Sequence, residues 1–122
     1  MKALTFLKII TILNVLISTG FSVAGIFYPF SILPAHVATD KAITIIGLYA
    51  GARTIPIAAF AIISIFGKQR DAFITLAVLA GIIQFLDGFI GIYQHDVSKA
   101  AGPFVIAAVQ FVAIYLMVRR ND

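Results

Sequence analysis

The chain has 122 residues, a net charge of +4, 61% apolar residues, 11% charged residues and no cysteine. A soluble domain carries about 45–50% apolar and about 25% charged residues, and one this small leaves much of its surface in water. The composition therefore excludes a soluble enzyme domain, a disordered tail and a nucleic-acid binder, and the missing thiols exclude disulfides and Cys-bound metal.

The first apolar run predicts a helix over about residues 7–29, following Lys2 and Lys8. Ser22-Val23-Ala24 before Gly25 looks like a signal-cleavage site, but the apolar run continues to Pro29, past the length of a signal core. The run therefore reads as a span. Asn14, Ser18 and Ser22 recur every four residues and form one polar stripe, which Gly25 extends as a small position.

A break containing Pro34 leads to a second predicted helix over residues 41–66, with Thr39 or Asp40 as its cap. Gly47 and Gly51 form a Gly-x-x-x-Gly pair suited to close helix packing. Tyr49 is one turn from Arg53 on the same face, and Pro56 is expected to kink the helix. The turn Gly67-Lys68-Gln69-Arg70-Asp71 precedes a third helix over 72–94, capped by Asp71 and carrying Gln84 and Asp87. The fourth helix is expected over 103–119, after a polar break ending in Gly102-Pro103, with Gln110 near its middle.

Four spans joined by short connections predict an all-α, up-down four-helix transmembrane bundle in one domain, residues 1–122. Lys2, Lys8, Lys68, Arg70, Arg119 and Arg120 fall on one side, against Lys41 and Lys99 on the other. By the positive-inside rule both termini are cytoplasmic, in a multi-pass protein of the inner or plasma membrane. With no Trp in the chain, the interfacial aromatics are Tyr28, Phe30, Tyr93, Phe104, Phe6, Phe66 and Tyr115.

Two ionisable residues lie within the spans. Arg53 is about 18 Å along its helix from Lys41, and Asp87 is about 12 Å from His95, at a rise of about 1.5 Å per residue. Side chains lean toward the N-terminus of their helix, so the two heads approach one level and an ion pair is expected. With Ser18, Ser22, Asn14, Tyr49, Gln84 and Gln110 they suggest one polar pocket, walled by Phe21, Phe85, Phe89 and Phe111 and opening outward. In that pocket Asp87 is the expected acid/base, Arg53 tunes it or holds an anion, and Tyr49 donates a hydrogen bond. His36 and His95 lack metal-ligand spacing, and no cofactor motif is present, so neither metal nor cofactor is expected.

Gly47-Leu48-Tyr49-Ala50-Gly51-Ala52-Arg53-Thr54, then Gly67-Lys68-Gln69-Arg70, then Gln84-Phe85-Leu86-Asp87-Gly88 resemble small four-helix membrane proteins classed as a domain of unknown function, which are loosely DoxX-like. Members show Gly-x-Arg on the second helix and Asp on the third. Many also have a His opening the fourth, where this chain has Gly102-Pro103 and an earlier His95. The resemblance implies the fold and the Arg53/Asp87 site, and no established activity.

Three functions remain open. The first is binding or acid/base conversion of a lipophilic small molecule. The second is a structural or assembly subunit in which the Arg53–Asp87 pair only fixes packing. The third is a small dimeric multidrug-type transporter, against which stands the expected Arg partner of Asp87. The expected partners are the lipid bilayer, a lipophilic ligand and a second copy, with no nucleic acid.

Overall fold

The computed structural model describes residues 2–34, 36–38 and 40–120. It is all-helical: α1 (Ala3–Phe27), α2 (Lys41–Phe66), α3 (Arg70–Tyr93) and α4 (Val97–Arg120), with a 3-10 turn at Pro29–Ser31. All four helices are long and apolar enough to cross a bilayer. Large apolar side chains such as Leu16, Phe60, Ile63 and Val105 are more than half exposed, which suits lipid and not water. This is a membrane protein.

The helix boundaries follow local chemistry. The Asp40 carboxylate accepts from the Ile43 amide at 3.1 Å and caps α2; Thr39 lies outside the described residues. Asp71 does not cap α3. It lies in the first turn, where a negative charge favours the helix dipole, and Gln69 holds the cap position without a side-chain bond. α2 runs unbroken through Pro56.

The largest departure from expectation is α4, which starts at Val97 and carries Pro103 inside it. The break before it shrinks to three residues for two reasons. First, α3 ends in a Schellman turn: the His95 amide donates to Ile92 and the Asp96 amide to Gly91, with His95 at φ 55°. Second, Asp96 then accepts from the amides of Ser98 and Lys99 and starts the next helix at once. The Ser98 hydroxyl also donates to this carboxylate and, ahead of the Lys99 amide, holds it below the usual carboxylate range.

Packing changes along the bundle. Near the termini the helices enclose a continuous apolar core of Ala3, Leu7, Ile65, Phe73, Ala77, Ala113 and Met117. A middle layer of Val15, Ala58, Ala61 and Ala80 follows. The α3–α4 seam is the closest, because α3 presents glycines to it. Phe104 sits on Gly88, Phe111 on Gly81, and the backbone of Lys99 and Ala100 lies directly against Gly91. The α1–α2 crossing also uses small residues, with the Gly25 carbonyl opposite Gly47.

Gly91→Ala should therefore lower thermal stability in detergent by about 1–3 kcal/mol, since its methyl group meets backbone that cannot rotate away. A methyl group at Gly20 would meet nothing within 4 Å beyond its own helix. Gly20→Ala should be neutral or stabilising by up to about 1 kcal/mol. Equal melting temperatures for the two variants would contradict the seam.

Candidate functional site

Three helices meet at a buried polar network. Asn14 donates to Gln110 Oε1 at 3.3 Å, and Gln110 donates to Thr11 Oγ1 at 2.9 Å and to the Ala77 carbonyl at 3.2 Å. Gln84 donates to Asn14 Oδ1 and to Ser18 Oγ, both at 2.9 Å, and the Ser18 hydroxyl donates back to Asn14 at 3.4 Å. Thr11, Asn14, Gln84 and Gln110 are each at most 2% exposed. Among the described residues no buried side-chain polar atom lacks a partner. The network joins α1, α3 and α4. No side-chain hydrogen bond among the described residues links α2 to another helix: Thr44, Arg53 and Ser64 each bond backbone of their own segment.

On the side of the network away from the core lies a cavity of about 740 Å³. Its walls come from the C-terminal halves of α1 and α3, the N-terminal halves of α2 and α4, and the segment after α1. Ser18 and Gln84 belong to both network and cavity, so the network forms the floor. Ser22 and Asp87 stand one turn above them, with Thr54 on the α2 wall. The rest of the lining is mostly Ile, Leu, Gly and Pro. The Asp87 carboxyl has no hydrogen-bond or ion-pair partner among the described residues. Lys99 also reaches the cavity, but its ammonium is engaged by the Ile32 carbonyl at 2.8 Å, by Gln94 at 3.4 Å and by Asp96 at 3.8 Å.

The expected site is thus partly assembled. Ser18, Ser22, Gln84 and Asp87 come together in the cavity. Asn14 and Gln110 lie beneath it, fully engaged in the network. Arg53 and Tyr49 do not join them. Both are exposed on α2, where Arg53 donates to the Tyr49 carbonyl at 2.9 Å and its guanidinium lies 5.8 Å from the Tyr49 ring centre. The expected Arg53–Asp87 ion pair is not formed; the one ion pair among the described residues is Lys99–Asp96. The reason is angular. The buried positions of α2 include Gly51 and Ala58, and Arg53 stands two residues past Gly51, about 200° round the helix at about 100° per residue.

Of the aromatic walls, only Phe21 lines this cavity. Phe85 and Phe89 stack edge-on with Phe104, with ring centres 5.1–5.7 Å apart. Phe85 and Phe111 flank a separate, shallower groove of about 400 Å³ formed with α4 residues Phe104, Ala107 and Ala108. Phe104 and Phe111 of α4 fill the notches at Gly88 and Gly81 of α3, and Phe85 and Phe89 pack against Phe104 along that seam. No group of three or more metal-ligating side chains occurs among the described residues.

Sequence reasoning missed Thr11 in the network and Thr54, Gln94, Ser98 and Lys99 among the polar lining of the cavity. Thr11 is three residues before Asn14 and continues the Asn14–Ser18–Ser22 stripe inward. Thr54 lies on the spacing Gly47, Gly51, Thr54, Ala58, Ala61 that marks the inner face of α2. Lys99 carried no signal, because its placement depends on the early start of α4. Compared with protein-family models, with curated proteins and with solved structures, the chain matches none.

Gln110→Met keeps the volume of the side chain and strands Thr11 and Asn14. It should cost about 1–3 kcal/mol of stability in detergent, the scale of an unsatisfied buried polar group. Thermal unfolding compared with the wild type checks this, and an unchanged midpoint would show that the network contributes nothing to holding the helices together.

Proposed function

We propose that this protein binds a lipophilic small molecule inside the bilayer, in the cavity floored by Ser18 and Gln84, with Asp87 as its polar anchor. The observation that carries the reading is an unpartnered carboxylate in a cavity of about 740 Å³, within the range of about 300–1,000 Å³ usual for small-ligand sites. An apolar body would lie against the Ile, Leu and Phe21 walls, and a polar group would meet Asp87, Ser22 and Gln84. Any conversion of that molecule would be proton transfer by Asp87 alone, because Arg53 and Tyr49 stand outside the cavity.

The topology that fits this reading is an up-down bundle with both termini cytoplasmic. The positive-inside distribution of Lys and Arg supports it. The cavity then faces the outer leaflet. The likeness to DoxX-like bundles of unknown function agrees with a small four-span protein and adds no activity.

A second reading, small-molecule transport, gains from one observation. The objection to it was that Asp87 would be neutralised by Arg53, and that pair is absent. A purely structural role for the pair loses support for the same reason, since helix register is set by the amide network instead.

The binding reading is tested by thermal unfolding in a non-ionic detergent with biphenyl, a neutral apolar probe. At a hundredfold excess over Kd the wild type should gain about 2.7 kcal/mol. Ala50→Phe, which places a ring in the cavity, should abolish that gain while remaining folded. A gain of equal size in both proteins would remove the cavity as the binding site.

A further inference from the structure

The charges lining the cavity select among lipophilic ligands. α1 contributes only the hydroxyls of Ser18 and Ser22, and α2 only that of Thr54. α3 contributes the Asp87 carboxyl, and α4 contributes Lys99. Lys99 does not offer its charge to the interior. It is level with Gly91, whose backbone it touches, and Gly91 is one turn from Asp87 toward the α3–α4 connection. From there its ammonium is directed to Gln94, Asp96 and the Ile32 carbonyl, all at the rim. Asp96 offsets the Lys99 charge locally. Arg53, the cation at a depth similar to that of Asp87, faces away and is satisfied by Tyr49.

The interior of the cavity therefore presents one ionisable group, and that group is acidic. A carboxylate left alone in an apolar surround is costly unless it is protonated or paired with a cation. An anionic ligand would meet this carboxylate with no interior cation to offset it. A neutral ligand would leave the carboxylate unpaired. A ligand with an apolar body and a positive centre satisfies both the apolar walls and the charge.

We infer that the molecule this cavity takes is a lipophilic cation, its positive centre paired with the Asp87 carboxylate above the Ser18–Gln84 floor. This rests on the reading of the cavity as a binding site. Proton and cation then compete for one carboxylate, so affinity falls as pH is lowered. Lys99 is the other charged group lining the cavity, and its ammonium is held at the rim by the Ile32 carbonyl, Gln94 and Asp96.

The size-matched pair tetraphenylphosphonium and tetraphenylborate separates charge from shape. Equilibrium dialysis of each against the full chain in a non-ionic detergent is the measurement, with biphenyl run in parallel. The phosphonium should bind more tightly than the borate. Asp87→Asn should weaken phosphonium binding by about tenfold or more, equivalent to about 1.4 kcal/mol, and should not weaken biphenyl binding. Asp87→Glu keeps the charge and should retain most of the affinity, which guards against a folding defect in the Asn variant. Phosphonium affinity should fall with pH in the wild type and stay flat in Asp87→Asn. Biphenyl binding with no preference for phosphonium over borate, or with no effect of Asp87→Asn, would overturn the cation and leave the cavity reading standing. Failure of all three probes to bind would overturn both.

Discussion

Asn14, Gln84 and Gln110 meet where α1, α3 and α4 pass the middle of the apolar slab, and every amide there finds a partner on another helix or on Thr11, Ser18 or Ala77. In hydrocarbon there is no water to take those bonds, so the three helices must keep the register that satisfies them. Individual hydrogen bonds between membrane helices contribute little, about 0.6 kcal/mol on average. Five side chains bonded as one unit act together, because removing any one strands its neighbours. The apolar core near the termini fits any helix that presents small or aliphatic side chains, and the network does not have that tolerance.

The cavity follows from what the network leaves out. α2 has no amide in its inner stripe and is held by small and aliphatic residues, among them Gly47, Gly51, Ala58, Ala61, Ile62 and Ile65. It packs fully near the termini, where Ile65 joins the core, and against α1 at the Gly25–Gly47 crossing. Beyond the network no side-chain hydrogen bond among the described residues draws it onto α3. The space between them is floored by the outermost members of the network and contains Asp87 one turn higher. The same polar residues thus fix the bundle and set the depth of the site.

Much of this was legible in the sequence and some was not. Four spans, the Asp40 cap, the polar stripe of α1 and the convergence of Ser18, Ser22, Gln84 and Asp87 all follow from spacing along single helices. The mistaken ion pair came from matching depth without matching azimuth. The Gly and Ala stripe of α2 already placed Arg53 off its inner face. The start of α4 was misread because Gly102-Pro103 was given more weight than Asp96. A proline inside a helix removes one hydrogen bond, whereas Asp96 satisfies two amides at once and follows directly on a Schellman turn. That turn needs His95 in a left-handed conformation, which a non-glycine residue rarely adopts and which sequence spacing does not signal. The aromatic walls failed because contacts between helices, and not periodicity within them, decide which ring fills which glycine notch.

Paired spin labels in lipid nanodiscs test most directly whether the network locks three helices and leaves the fourth less constrained. Suitable exposed positions are Val23 on α1, Ile46 on α2 where it borders the cavity, Leu86 on α3 and Val105 on α4. The Leu86–Val105 and Val23–Leu86 pairs should give narrow distance distributions and the Ile46–Leu86 pair a broad one. Asn14→Leu combined with Gln84→Leu should broaden Val23–Leu86 toward the width of Ile46–Leu86. An Ile46–Leu86 distribution as narrow as Leu86–Val105, or a Val23–Leu86 distribution untouched by loss of the two amides, would contradict the network as the constraint on which the cavity depends.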